Sequence, residues 1–507
     1  MNGRGASGAR LIAVAALLLC SAGCARLFGT YDFAPSGLAS GEDRLRHMLA
    51  TGQATDAFTA FGNSFDPPED EVLRALYQGI LAYYAGAWDE SARVLDIAAA
   101  RADERYTKSI SRAALSVITN DLILPYEPGR TERLMIPYYG ALARMRLGDV
   151  EGAAVEARRL SMLLQLYADD EDVVEPAIEA TLRYVAGVVF EAHGDRNDAD
   201  VAYRNAAALD STLARPNAAA PLGLGTAVIV LEQGFVAHRV EQGLAVLLLP
   251  EEVDLITNGD GDERSAALGF VAARTLRQAL RAPYSADGPY RRTTLHVAAP
   301  EDRSQLPRRR RRIVCRPTDD AASGADSTRT TTPRQTSGGK EECREEEVEI
   351  DEMPYLLKVA WPVYRTDARP LDARLITPAD TVDFLGRADL SRGVVDDFNA
   401  ERGLLVARTI ARGAAKLALT KGAENKLEEK NEAAAKIVGL LGNLGNVLLE
   451  RADTRSWHLL PAGVSVARVN LPPGEHRLSV AVGARTVELE PVRVKAGGLS
   501  VVAARVW

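Results

Sequence analysis

From about residue 43 to 216 apolar residues recur at spacings of three and four, and glycines fall between the periodic stretches. This pattern predicts a run of amphipathic helices. Past Arg215-Pro216 the texture changes. Thr226 to Leu231, Phe235 to Val240 and Leu244 to Leu249 are short runs rich in Val, Ile and Leu. Gln233-Gly234 and Gln242-Gly243 punctuate them, which predicts strands. A helix is expected over about 265–281, where Ala267, Phe270, Val271, Leu276 and Leu280 form an apolar stripe, and a strand over Tyr355 to Trp361. Thr377-Pro378-Ala379-Asp380 carries a capping threonine and an acidic first turn, so a helix is expected to open there, with helical spacing continuing to about Asp453. The last fifty residues alternate and turn. Val464 to Leu471, His476 to Val482, Arg485 to Val494 and Leu499 to Val506 read as strands of a small antiparallel module.

Residues 283–349 interrupt this order, being rich in Arg, Thr, Ser, Gly and Glu, and read as a charged flexible insertion. Arg308 to Arg312 form a basic run, and Glu341, Glu342, Glu345, Glu346, Glu347 and Glu349 an acidic one. Cys315 lies in the first and Cys343 in the second. Opposite charge draws the two flanks together, so in an oxidising compartment a Cys315 to Cys343 disulfide is expected. Closing that loop would contribute about 3 to 4 kcal/mol by chain entropy.

At the amino end Arg4 and Arg10 precede the apolar run Leu11 to Leu19, and Ser21-Ala22-Gly23-Cys24 follows. This is the three-part layout of a secretory signal. The run is too short for a permanent membrane crossing. A cysteine placed directly after small residues resembles the lipobox of bacterial lipoproteins, with Ser21 where leucine is usual. The resemblance implies lipidation of Cys24 and, with Ala25 rather than aspartate next, an outer-membrane address facing the periplasm. Several acyl chains, each buried methylene contributing about 0.8 kcal/mol, make such an anchor practically permanent.

Within the helical stretch Gly79, Gly86, Ser91, Leu95 and Ala98 are matched in spacing by Gly187, Gly194, Ala199, Tyr203 and Ala206, and between them by Ala141, Gly148, Ala153, Ala157 and Leu160. The spacing resembles the tetratricopeptide repeat, in which small residues let two antiparallel helices approach and the next pair stack on them. Pro137 falls where the first helix of the middle pair is expected to begin. The resemblance places Leu76, Tyr83, Tyr84, Tyr138, Arg146, Tyr184 and Glu191 along a concave, partner-binding groove. Tyrosine there offers apolar area with a hydroxyl. The turn Leu471-Pro472-Pro473-Gly474-Glu475-His476 is similar to turns of PEGA-type surface β domains. Gly148-Asp149-Val150-Glu151, the block around Ala227 to Gly243 and Arg451 to Pro461 together resemble an uncharacterised family of large tetratricopeptide-containing lipoproteins of Gram-negative bacteria.

Composition changes this picture mainly by exclusion. The chain has 507 residues, 26% of them charged, and a formal net charge of -8, so bulk nucleic-acid binding is not favoured. Six scattered histidines and four cysteines offer little for a multi-metal site, and no G-x-S-x-G, H-E-x-x-H or C-x-x-C stands in the mature chain. Asn258, Asp260 and Asp262 imitate a calcium loop, yet Glu263 replaces its glycine and Gly269 its closing Glu, so a polar turn is expected. No cofactor or metal is expected.

The fold expected is α+β. It comprises a leader over 1–24, a tether over 25–42, a tetratricopeptide-like helical domain over 43–216, a β-rich segment with one helix over 217–282, the insertion over 283–349, a strand with long helices over 350–453 and the β module over 454–507. The function expected is that of a non-enzymatic, membrane-anchored scaffold or adaptor for a periplasmic or envelope protein partner in cell-envelope biogenesis. The alternatives are an envelope enzyme acting on glycan or peptide, with His458 and Asp453 as its candidate residues, and a structural part of a secretion or surface-polymer assembly.

Overall fold

The computed structural model describes residues 37–63, 68–108, 124–169, 174–214, 221, 223–281, 285–287, 296–298, 312–317, 334–336, 339–346, 355–366, 370–428 and 451–507. Cys24, the leader, most of the tether and the glycine-rich stretch 437–449 lie outside the described residues. The fold is mixed α+β.

Helices α1 (Gly37–Ala50) and α2 (Ala54–Asn63) lead into three helical hairpins: α3 (Glu71–Tyr84) with α4 (Trp88–Lys108), α5 (Arg130–Leu147) with α6 (Val150–Asp169), and α7 (Pro176–His193) with α8 (Arg196–Leu209). Each hairpin turns at a glycine in the left-handed region: Gly86 at φ 80°, Gly148 at 77° and Gly194 at 93°. Such angles are strained for a residue with a Cβ. Close approach inside each pair also follows from a glycine. A Cβ on Gly79 would lie 2.7 Å from Leu95, one on Gly140 3.2 Å from Glu156 and one on Gly187 2.9 Å from Tyr203. The partner stands sixteen positions after the glycine in every pair. Pro137 sits inside α5 rather than at its start. The helix begins at Arg130, where the Glu132 carboxylate accepts from the Gly129 N–H at 3.1 Å, and continues through the one backbone hydrogen bond that proline cannot donate.

Strand β1 (Gly225–Gln233) is buried along its whole length, which is why Ala227 to Leu231 reads as an unbroken apolar run. Val228 and Val230 pack into the helical core, whereas Ala227, Ile229 and Leu231 pack into a separate core between two sheets. Next come β2 (His238–Leu248), α9 (Pro250–Asn258), α10 (Gly261–Arg281), β3 (Ser285–Asp287), β4 (His296–Ala298), β5 (Arg312–Pro317), β6 (Arg334–Thr336), β7 (Gly339–Glu346) and β8 (Tyr355–Thr366). The turn expected at Gln242-Gly243 is absent, since both residues lie inside β2 and pair with Trp361 and Ala360 of β8. Pro362 is tolerated within β8 because its second neighbour, β3, pairs only with residues 364–366. Asp260, read as part of a loop imitating a calcium site, accepts from the Asp262 and Glu263 N–H groups at 3.0 and 2.9 Å at the start of α10. Sheet β3-β8-β2-β4 packs on α9, α10 and the long helix α11 (Leu390–Glu428) around Val246, Val359, Trp361 and Leu417.

No helix opens at Thr377. Strands β9 (Ala373–Ile376), β10 (Thr381–Asp383) and β11 (Leu385–Asp389) fill this stretch. Thr377 Oγ1 does accept from the Asp380 N–H at 2.9 Å, but the contact closes a hairpin between β9 and β10. The same hydroxyl geometry serves a helix cap and a turn, so the local signal could not separate them.

The carboxy-terminal strands are β12 (Gly463–Leu471), β13 (Gly474–His476), β14 (Ser479–Val482), β15 (Arg485–Glu488), β16 (Val492–Val494) and β17 (Leu499–Val506). They do not pair only among themselves. Strand β1 runs antiparallel to β12 and parallel to β17, giving the order β11-β12-β1-β17. The second sheet, β10-β9-β14-β15, and the pair β13-β16 cover its other face through Leu375, Val480, Val482, Val492 and Val494. The layers are therefore helices, sheet and sheet, with β1 at the centre. Among the described residues no helix is long and apolar enough to cross a membrane.

Candidate functional site

Of the residues expected to line a groove, Tyr83, Tyr84 and Tyr138 gather around Tyr139, while Tyr184 and Glu191 stand apart beside Tyr203. The expected residues lie on α3, α5 and α7, the first helix of each hairpin, and the face they form is covered by the chain's own later segments. Leu76 and Tyr138 are fully buried and Tyr83 and Tyr184 nearly so, while Tyr84, Arg146 and Glu191 are half-buried.

The first station is set by Asp70, which caps α3 by accepting from the Val72 and Leu73 N–H groups at 2.9 and 3.2 Å. The same carboxylate takes Arg105 Nη1 at 2.8 Å and the Tyr126 N–H at 2.9 Å. Burial alone would raise this carboxyl, but those hydrogen bonds hold it below its ordinary range. So fixed, α3 presents Tyr77 and Tyr84 one above the other. The Tyr77 hydroxyl lies 3.0 Å from Glu42 Oε1 and 3.2 Å from the Ser456 carbonyl oxygen, and the Tyr84 hydroxyl donates to the Leu459 carbonyl at 3.1 Å. From α5 the Glu132 carboxylate accepts the Trp457 N–H at 2.7 Å, and its other oxygen takes the Tyr126 hydroxyl. Trp457 has no exposed surface.

Beside this station two imidazoles face each other at 5.2 Å between centroids. His458 Nδ1 is 2.8 Å from Glu42 Oε2, and His238 Nδ1 accepts from Arg46 Nη1 at 3.0 Å. His238 is held neutral. Burial pushes its pKa far down, and the neighbouring His458 ring and the Arg46 and Arg365 guanidiniums act in the same direction. A carboxylate beside an imidazole is what a general base needs, yet His458 is only 6% exposed. Asp453, the other candidate, is bound to Arg455 Nη2 at 2.7 Å, and Arg455 also donates to the Leu124 carbonyl at 2.9 Å. A cavity of about 280 Å³ lies elsewhere, along α3 and α4, lined by Glu71, Arg74, Gln78, Arg93, Val94 and Arg101.

The second station is a stack of tyrosines over a buried carboxylate. Tyr138 donates to Glu232 Oε1 of β1 at 2.9 Å, and Arg505 of β17 lies 3.6 Å from the other oxygen. Burial pushes the Glu232 carboxyl up, opposed by Arg505 and by hydrogen bonds from Tyr138 and Tyr139. Burial likewise pushes the hydroxyls of Tyr83, Tyr138 and Tyr139 well up, with the Glu232 charge adding to it, so they stay protonated donors. Trp507 packs edge-on to Tyr84 at 5.2 Å, with the Arg505 guanidinium 4.1 Å above its ring. At the third station Arg468 of β12 makes a bidentate pair with Glu191 at 2.7 and 2.9 Å, and Tyr203 donates to Glu191 Oε2 at 2.6 Å. Arg146 reaches Glu490 at 2.8 Å and lies over the Trp88 ring.

Sequence reasoning missed the covering half: Glu132, Glu232, His238, Trp457, Arg468 and Arg505. The signal present was a charged residue breaking an apolar strand, as Glu232 closes the apolar run of β1 and Arg468 interrupts β12. Among the described residues no group of three or more His, Cys, Asp or Glu side chains is placed to hold a metal ion. In the insertion, Cys315 and Cys343 are opposite one another in the register of β5 and β7, flanked by the pairs Arg312 with Glu346 and Arg316 with Glu342. No protein-family model, curated protein or solved structure matches this chain.

Proposed function

We propose that this protein is a lipoprotein anchored through Cys24 to the outer membrane of a Gram-negative cell, facing the periplasm. In this reading it acts as a non-enzymatic scaffold that holds an envelope protein on a tetratricopeptide-like array. The anchor rests on the leader sequence. The observation that carries the scaffold reading is the use made of α3 and α5, where two tyrosines and a glutamate meet main-chain atoms of a non-helical segment. Hydrogen bonding to main chain is a binding arrangement, and its geometry needs no reacting group. The shared glycine-to-partner offset in the three hairpins supports the repeat assignment.

Labelling cells with a palmitate analogue tests the anchor. Label is expected on the wild-type chain in the outer-membrane fraction and lost in Cys24→Ser, whereas label that persists in the variant overturns it. The Glu42–His458 contact gives the enzyme reading its one observation. Purified envelope glycan or peptide turned over by the wild-type chain but not by His458→Gln would favour that reading over the scaffold.

A further inference from the structure

We infer that the inner face of the helical array is a clamp for a tryptophan-bearing, non-helical peptide segment, that residues 455–460 of this chain occupy it in cis, and that a partner's segment of the same chemistry can take their place. The inference rests on the scaffold reading for the partner and on geometry for the occupancy. Residues 456–460 belong to neither helix nor strand; within the segment His458 N–H meets the Ser456 carbonyl at 3.0 Å and Leu460 N–H the Trp457 carbonyl at 3.4 Å, and from the loop between β1 and β2 the Val236 N–H donates to the Leu460 carbonyl at 2.9 Å.

Three side chains of the array meet the main chain of this segment. The Tyr77 hydroxyl lies 3.2 Å from the Ser456 carbonyl oxygen, its one proton shared with Glu42 Oε1 at 3.0 Å, Glu132 accepts from the Trp457 N–H and Tyr84 donates to the Leu459 carbonyl. None of these bonds depends on which side chains the segment carries. Selectivity comes instead from what is buried. Trp457, Leu459 and Leu460 have no exposed surface, and the indole lies 6.3 Å from the Tyr139 ring, tilted by 59°. The clamp therefore asks for an indole followed, two and three residues later, by branched apolar side chains.

The resident segment fits imperfectly. Trp457 Nε1 and His458 Nε2 are buried without a hydrogen-bond partner among the described residues. Buried polar atoms left unpaired weaken the hold of an occupant, so a segment whose indole N–H is paired, or whose tryptophan is not followed by an imidazole, competes with it. The side chains making the clamp are fixed from behind, Tyr84 by the Tyr139 hydroxyl at 3.0 Å and Glu132 by the Gly129 N–H at 3.1 Å. The receptor surface is thus preorganised independently of what fills it.

The test uses the full chain and a fluorescent synthetic peptide spanning residues 451–463. By anisotropy the Trp457→Ala chain, whose own anchor is removed, is expected to bind the peptide at least tenfold more tightly than the wild-type chain does. The same peptide with alanine in place of its tryptophan is expected to bind neither. Adding Tyr77→Phe to the Trp457→Ala chain should weaken binding at least threefold. Equal affinity for wild type and variant, or indifference to the peptide's tryptophan, overturns the clamp. Should Trp457→Ala not fold, hydrogen exchange on the wild-type chain decides. Excess peptide is expected to speed exchange across 456–460, and unchanged exchange there overturns the inference. The palmitate label reads the anchor alone, so failure of the clamp and failure of the envelope assignment are told apart.

Discussion

Glu232 shows how a single residue can link pH to the stability of this fold. Its carboxyl is fully buried beneath Tyr138 and Arg505, and burial raises its pKa above the ordinary 4.5. The folded chain therefore holds this proton over a pH range in which the unfolded chain has released it. Stability from this residue is complete below about 4.5 and declines as pH rises through the higher folded value. Glu232→Gln removes that slope while keeping an acceptor for the Tyr138 hydroxyl. Thermal unfolding is expected to show the variant gaining on wild type as the pH climbs from 4.5 towards neutrality, and a difference independent of pH contradicts the assignment. Tyr83 and Tyr138 of this station were expected from the resemblance to the tetratricopeptide repeat, which puts such positions of each first helix on one face, whereas Tyr139 was not. Nor was Glu232, since it reaches Tyr138 from 94 positions away and nothing local marks the pairing.

At the scale of the element, glycine divides into positions that need it and positions that do not. Inside the third hairpin a Cβ on Gly187 would meet the Tyr203 ring at 2.9 Å, so Gly187→Ala is expected to cost about 1 to 3 kcal/mol through overpacking. On α10 a Cβ at Gly269 meets nothing within 4 Å, and Gly269→Ala is expected to stabilise by about 0.5 to 1 kcal/mol through helix propensity. Urea unfolding of the two variants checks both signs. In the insertion the register opposes Cys315 to Cys343. We expect peptide mapping without reductant to recover these two cysteines linked, and recovery of both as free thiols from an oxidising compartment contradicts the pairing. The hairpins were readable because their small-residue spacing repeats along the chain. The hairpin at Thr377 was not, because a capping hydroxyl and an acidic neighbour suit a turn as well as a helix start.

Across the whole molecule, the central strand comes from the middle of the chain and its partners from the end. Gly225 pairs with Leu471, and Thr226 with Leu499. Alternation in the last fifty residues correctly announced strands, but it carries no information about a partner more than two hundred positions away, so a separate module was the natural reading. Glu191 with Arg468, Glu132 with the Trp457 N–H and Tyr138 with Glu232 then tie helices and sheet into one core. The helical array is thus filled by the chain's own carboxy-terminal segments and unfolds with the sheets as one unit. Differential scanning calorimetry of wild type and Arg468→Ala tests it most directly. One cooperative transition is expected for both, shifted as a whole to lower temperature in the variant. Two separate transitions, with only the later one moved by the substitution, would contradict the account.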